Sequence, residues 1–159
     1  MDPTRIMAAW ARLGGTALGR RLFSYLLGWG VPYSGSIGAR VTRLAPGACE
    51  IQLPDRRRVH NHLNSIHAIA LINLAELASG LAMLSGLPPT ARGIVTHIEM
   101  DYEKKARGLL TVRSSARTPG IIDKNMDHTV EAEIFDSSGD RVAIGRIIWR
   151  LGPKPEASA

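Results

Sequence analysis

Apolar positions recur along this chain first at helical spacing, then by alternation, then as one nearly unbroken run, and finally by alternation again. Leu18, Leu22, Tyr25, Leu26 and Trp29 fall on one face of a helix within the first thirty residues, with Arg20 and Arg21 facing away. Gly14-Gly15 marks a break in that helical segment. The pattern predicts an amphipathic helix whose apolar face packs on the domain, although a membrane-surface or lid helix has the same period. From Ser34 onward Ile37, Ala39 and Val41 alternate with Gly38, Arg40 and Thr42, which predicts a half-buried strand. Pro46-Gly47 suits the centre of a type II turn, and residues 49–53 predict a second strand that Pro54 stops.

A polar loop, 55–64, leads into a stretch from about Ile66 to Leu84 that is apolar on nearly every side. Beyond Pro88-Pro89 alternation predicts four more strands, at 94–102, 110–116, 130–135 and 142–151. Strands joined by short turns pair antiparallel, and a lone apolar helix must lie against their apolar face. The expectation is therefore an α+β domain over 32–152, in which a sheet of about six antiparallel strands wraps one long central helix. A helical segment, 1–31, precedes it and a disordered tail, 153–159, follows. One sheet covers one side of a helix, so a second subunit is the expected cover for the others.

Composition narrows the function. At 159 residues, with 45% apolar and 21% charged, the chain has the make-up of one ordinary globular domain. A single cysteine, Cys49, excludes an internal disulfide and suits a reducing, cytoplasmic setting. The net charge of +6 favours anionic partners. With only 5% aromatic residues and no basic–aromatic stripe, a phosphorylated small molecule is preferred and nucleic acid is not expected. Arg12, Arg20 and Arg21 interrupt the apolar start, so no secretory signal is expected. Glu76, in the middle of the apolar run, would cost about 2.5 kcal/mol or more in lipid, so an enclosed helix is expected and not an integral membrane segment.

That same Glu76 is the most telling chemical group. Between Ile66 and Leu84 the strongly polar side chains are His67, Asn73 and Glu76, with Ser79 beyond them. Asn73, Glu76 and Gly80 are spaced to share a helix face. Burial disfavours the ionised carboxylate and moves its pKa toward the range of a general base at neutral pH, unless Asn73, a cation across an interface or water satisfies it. Upstream, Asn64 or Ser65 is the expected N-cap. The backbone N–H groups near His67, Ala68 and Ile69 would then present the positive end of the helix. Such an end makes an oxyanion hole for an acyl carbonyl, where one donor is worth about 3 kcal/mol.

The arrangement Asn61-x5-His67-x8-Glu76, in the order strand, strand, loop, long helix and four strands, resembles the hot-dog fold thioesterases of the phenylacetate-pathway type. Asn73–Gly80 (Asn-Leu-Ala-Glu-Leu-Ala-Ser-Gly) is similar to their Leu-Ala-Asp segment, and 100–106 (Met-Asp-Tyr-Glu-Lys-Lys-Ala) resembles the strand after their helix. The likeness spans about 33–151 and is nearest to an uncharacterised hot-dog family with an N-terminal helix ending in a Pro-Tyr pair, here Pro32-Tyr33. One departure is that the family's Gly-Gly after the histidine is Ala68-Ile69 here.

The resemblance implies hydrolysis of an acyl thioester carried by CoA or acyl carrier protein, with Glu76 as general base or nucleophile. It further implies that the Ala68 N–H polarises the carbonyl, that His67 and Asn61 shape the turn, and that Asn73, Ser79, Lys104 and Arg107 contact substrate. No metal or redox cofactor is implied. The acid of one subunit would face the helix N-terminus of another, so a homodimer is expected, with pairing into a homotetramer left open.

Two rivals stand beside it. One is dehydration of a 3-hydroxyacyl thioester by His62 and Glu76, fourteen residues apart, with Asp55-x4-His60 echoing an enoyl hydratase pair. The other is binding of an acyl thioester without catalysis. His60, His62 and His67 read as loop and capping residues, not metal ligands. Cys49 reads as a core residue. Arg56-Arg57-Arg58 reads first as a solvated loop and second as a holder of CoA phosphates, a role open to Lys104 and Arg107 as well.

Overall fold

The computed structural model describes residues 2–155. Two helices open the chain. Asp2 caps α1 (Pro3–Leu13) by accepting the Thr4 N–H, and Thr16 caps α2 (Ala17–Gly30) by accepting the Gly19 N–H. The break at Gly14-Gly15 falls between them. A short helix, α3 (Pro32–Gly35), leads into β1 (Arg40–Ala45), and Pro46-Gly47 turns the chain into β2 (Ala48–Leu53). Gly47 has φ 76°, as its place in the turn requires. The long helix α4 (Ala68–Gly86) follows, and then β3 (Ala91–Tyr102), β4 (Leu110–Ser115), β5 (Met126–Phe135) and β6 (Arg141–Pro153).

All six strands form one antiparallel sheet in the order β1-β2-β4-β5-β6-β3. α4 carries the chain from β2 across to the far edge at β3, so the sheet curls around it. Leu74, Ala75, Ala78, Ala82 and Met83 are fully buried against Ile51, Leu53, Val112, Ile134 and Ile147 from the strands. α4 is long and apolar enough to cross a membrane by length and composition, yet most of it is enclosed by this sheet and by α1. Cys49 is buried in the same core, and burial pushes its thiol up.

Four expectations need correction. The strand read from Ser34 begins only at Arg40, because 32–35 are helical and Gly38 takes φ 66°. Ile94, Thr96, Ile98, Met100 and Tyr102 do not share a face of β3. A register shift between Val95 and His97 swaps the faces, so Val95 points inward before it and Ile98 and Met100 after it.

The expected apolar face of α2 is turned outward: Leu18 is 77% exposed, Tyr25 70% and Trp29 79%. Its inward side is Phe23, edge-on to Trp10 at 5.0 Å, together with Ser24, Leu27 and Gly28. The reason is steric. A β-carbon on Gly35 would stand 2.6 Å from Gly28 Cα, so α2 and α3 meet backbone to backbone on the small-residue stripe. Finally, the expected tail does not fray at once. Pro153 is still paired with Ala91, and the Lys154 N–H donates to Thr90 O at 2.7 Å. Residues 156–159 lie outside those described.

Candidate functional site

The turn before α4 is tied from several directions. Asn61 Oδ1 accepts from the Leu63 N–H at 2.9 Å and from both the N–H and the hydroxyl of Ser65 at 3.2 Å. Asn64 adopts φ 52°, and its carbonyl accepts from Arg107 Nε at 3.1 Å. The Ile66 N–H donates to Ala106 O and the His67 N–H to Val59 O. These bonds hold the backbone extended through His67, so α4 starts at Ala68 and the expected caps, Asn64 and Ser65, do not serve. His67 is the N-cap, its Nδ1 accepting the Ile69 N–H at 3.1 Å. The Ala70 and Leu71 N–H groups are taken by His67 O. Among the described residues the Ala68 N–H has no acceptor, and one donor therefore stands free at the positive end of the helix.

Glu76 sits two turns further on. It is half-buried and has no hydrogen-bond or ion-pair partner among the described residues, and burial alone holds its carboxyl above the usual carboxylate range. Asn73, one of the groups that could have satisfied it, does not: Asn73 Nδ2 donates to Tyr33 O at 3.2 Å while its Oδ1 is buried without a partner. Eight residues at 1.5 Å rise put Glu76 about 12 Å along the axis from Ala68. One protomer therefore does not bring the acid and the free donor together. Ile69, Ile72 and Glu76 share a stripe of α4 that the protomer's own sheet leaves incompletely covered.

Other expected substrate contacts are occupied by the fold. Ser79 is fully buried: its hydroxyl donates to Glu76 O and accepts from Trp149 Nε1 at 3.2 Å, which joins α4 to β6. Lys104 Nζ lies 2.7 Å from both Asp136 and Asp140. Arg107 braces the turn at Leu63 and Asn64. His62 stands exposed on the turn, and no hydrogen bond joins it to Glu76. His60 and Asp55, by contrast, are in contact. Asp55 also accepts the Gly108 N–H at 2.6 Å, and the His60 ring followed by that bond holds the carboxyl low.

His60, His67, Ile69 and Asn73 line a cavity of about 290 Å³ beside the start of α4, with Tyr33 and Arg58 across from them. A larger cavity, about 800 Å³, lies between α2, α3 and the loop before α4; Arg21, Arg40, Arg56 and Arg58 are on its wall. The sequence marks Arg56 and Arg58 only as a loop run that could also hold carrier phosphates, and nothing in it associates Arg21 and Arg40 with them.

A family model matches residues 19–151, from α2 to β6. The chain belongs to the DUF4442 family, a domain of unknown function. No functionally curated protein matches the sequence. Many solved structures share this fold, the following three among them. A protein described only as a genomics target is 26% identical with a TM-score of 0.80, over 94% of this chain and 98% of its own. A Pseudomonas aeruginosa protein of unknown function, called a probable thioesterase, is 21% identical with a TM-score of 0.72, over 82% and 93%. A Haemophilus influenzae thioesterase is 15% identical with a TM-score of 0.69, over 80% and 87%. The fold of this DUF4442 chain is that of the hot-dog thioesterases.

Proposed function

We propose that the protein hydrolyses an acyl thioester carried by CoA or acyl carrier protein. The observation that carries this reading is that one apolar helix bears both an unpartnered Glu76, its carboxyl raised by burial, and a free Ala68 N–H at its positive end. The Ala68 N–H donates a hydrogen bond to the thioester oxygen as negative charge develops on it. Glu76, as base, takes a proton from the attacking water, or, as nucleophile, attacks the carbonyl carbon and is released by water afterwards. The carbon–sulfur bond breaks and the carrier thiol leaves. Asn61 and His67 hold the turn that aims the Ala68 N–H, and Asn73 lies in the wall beside it.

The acid and the donor are too far apart within one protomer, so the working unit is a homodimer that sets Glu76 of one copy against the Ala68 end of the other. Two features support it. β3 is an edge strand paired only with β6, and Ile94 and Tyr102 on it are exposed; a second β3 beside it would satisfy its free backbone groups. The stripe Ile69–Ile72–Glu76 likewise awaits cover.

The test is thiol release from acyl-CoAs of short, long and aromatic chain, wild type beside Glu76→Gln. Release that the substitution abolishes supports hydrolysis. A second reading rests on Ala68 and Ile69, whose β-carbons crowd the approach to the backbone: acyl thioesters are bound and not turned over. Binding with no release by the wild type would establish that reading instead.

A further inference from the structure

The larger cavity, between α2, α3 and the loop before α4, has no part in the chemistry above, and four arginines meet on its wall. Some arginines on the sheet are matched with acids: Arg113 with Glu50, Arg141 with Glu103 and Glu133, Arg146 with Asp101, Arg150 with Asp127. Around this cavity stand Arg21, Arg40, Arg56 and Arg58, and no acidic side chain lines it. Among the described residues none of the four guanidinium groups is paired with a carboxylate.

Two of them are brought together on purpose-built backbone. Gly38, at φ 66°, lies beneath both: a β-carbon there would stand 3.3 Å from Arg56 Nη1 and would collide with Arg58 Nη2. Glycine thus lets two like charges converge where a larger residue would push them apart. Like charges held side by side repel, and the arrangement is relieved by an anion that both can grip. A carboxylate brings one charge, whereas a phosphate ester brings up to two and more acceptor oxygens. Apart from Ser24, Ser34 and Ser36 the rest of the wall is mostly apolar, including Tyr25, Trp29 and Leu77, and Tyr25 and Trp29 are largely exposed at its edge.

We propose that this cavity binds a phosphorylated acyl amphiphile, its phosphate held by Arg56 and Arg58 and its chain lying along Tyr25, Trp29 and Leu77. The phosphate belongs either to the carrier end of an acyl-CoA or to a lipid head group; the chemistry of capture is the same. Arg58 and Ser36 also line the smaller cavity beside His67, so the bound molecule abuts the start of α4. The proposal does not depend on thioester hydrolysis.

Trp29 supplies the readout, because Trp149 is in the core and Trp10 packs on Phe23. The fluorescence of the Glu76→Gln protein is titrated with decanoyl-CoA, with a ten-carbon lysophosphatidate and with decanoate. Trp29→Phe assigns the signal. Saturable binding of either phosphorylated ligand, weakened at least about tenfold in Arg56→Ala/Arg58→Ala and little changed in Arg57→Ala, is the expected result. A response to decanoyl-CoA alone assigns the phosphate to the carrier, and a response to the lysophosphatidate alone assigns it to a lipid. Binding of neither, or equal binding by wild type and Arg56→Ala/Arg58→Ala, overturns the proposal. Because thiol release is measured separately, its persistence after such a failure leaves the hydrolytic reading standing.

Discussion

Asn73 and Glu76 lie one turn apart on α4, yet they do not meet: the Asn73 amide is spent on Tyr33 O at 3.2 Å, and the Glu76 carboxyl is left with burial alone. A group whose folded pKa is raised binds its proton more tightly in the folded than in the unfolded chain. Stability therefore falls as pH climbs from the ordinary carboxylate pKa through the raised one, and the ionised form is a burden above it. Glu76→Gln is expected to melt at a higher temperature than the wild type near pH 7.5 and at the same temperature near pH 4. A difference that does not change with pH would show that Glu76 is not proton-linked to folding.

Thiol release should report the same group from the other side. If Glu76 acts as a base, the rate is lost as pH drops through its raised pKa, above the usual carboxylate range. A rate that stays level down to ordinary carboxylate pH would remove Glu76 from the role of base.

Ser79 and Trp149 should behave as one unit. Ser79→Ala leaves the buried Trp149 Nε1–H without an acceptor and is expected to cost about 1–3 kcal/mol in urea unfolding. Adding Trp149→Phe removes the orphaned donor, so the double variant should lose less than the two single losses together. Strict additivity would deny the bond any role.

The two stripes of α2 give opposite expectations. Phe23→Ala should cost about 3–5 kcal/mol, because Phe23 is in the core against Trp10. Replacing Leu18, Leu22 and Leu26 by serine should change stability by only about 0.5 kcal/mol each. A large loss from the serine set would mean that another surface covers this face in solution.

Lys104→Ala should leave affinity for phosphorylated acyl ligands unchanged, since its ammonium is already held between Asp136 and Asp140. Asn61→Ala should lower both stability, by about 1–2 kcal/mol, and thiol release, because three donors of the turn lose their acceptor. Asn61→Asp, which keeps that oxygen, should preserve both.

How far did the sequence carry? Element order was legible because alternation and the apolar run of α4 are strong signals, and glycine and proline punctuate them. The inward side of α2 was not. Helical period marks two stripes there, one large and apolar, the other small, and only the contact of Gly28 with Gly35 decides between them. The bulge at Val95–His97 is likewise invisible in a run that alternates cleanly on paper. Glu76 could be singled out as an acid in apolar surroundings. Its separation from Ala68 needed only the helix rise, but the commitments of Lys104, Arg107 and Ser79 are long-range contacts with no local mark. The convergence of Arg21 and Arg40 with Arg56 and Arg58 joins three distant parts of the chain for the same reason.

The place of β6 in the sheet has a consequence for how the molecule is made. β6 comes last among the strands, yet it lies between β5 and β3, pairing with both along its length. During synthesis α4 and β3 emerge long before the strand that must hold β3 in place. Until residues through Pro153 are free, the greasy helix has an unfinished wrapper and β3 has no neighbour. Contacts so distant in sequence make for slow closure, and a nascent chain in this state exposes the surfaces that aggregate. Folding has to wait for the final strand, and a chaperone that shields α4 in the interval would raise the yield of native protein.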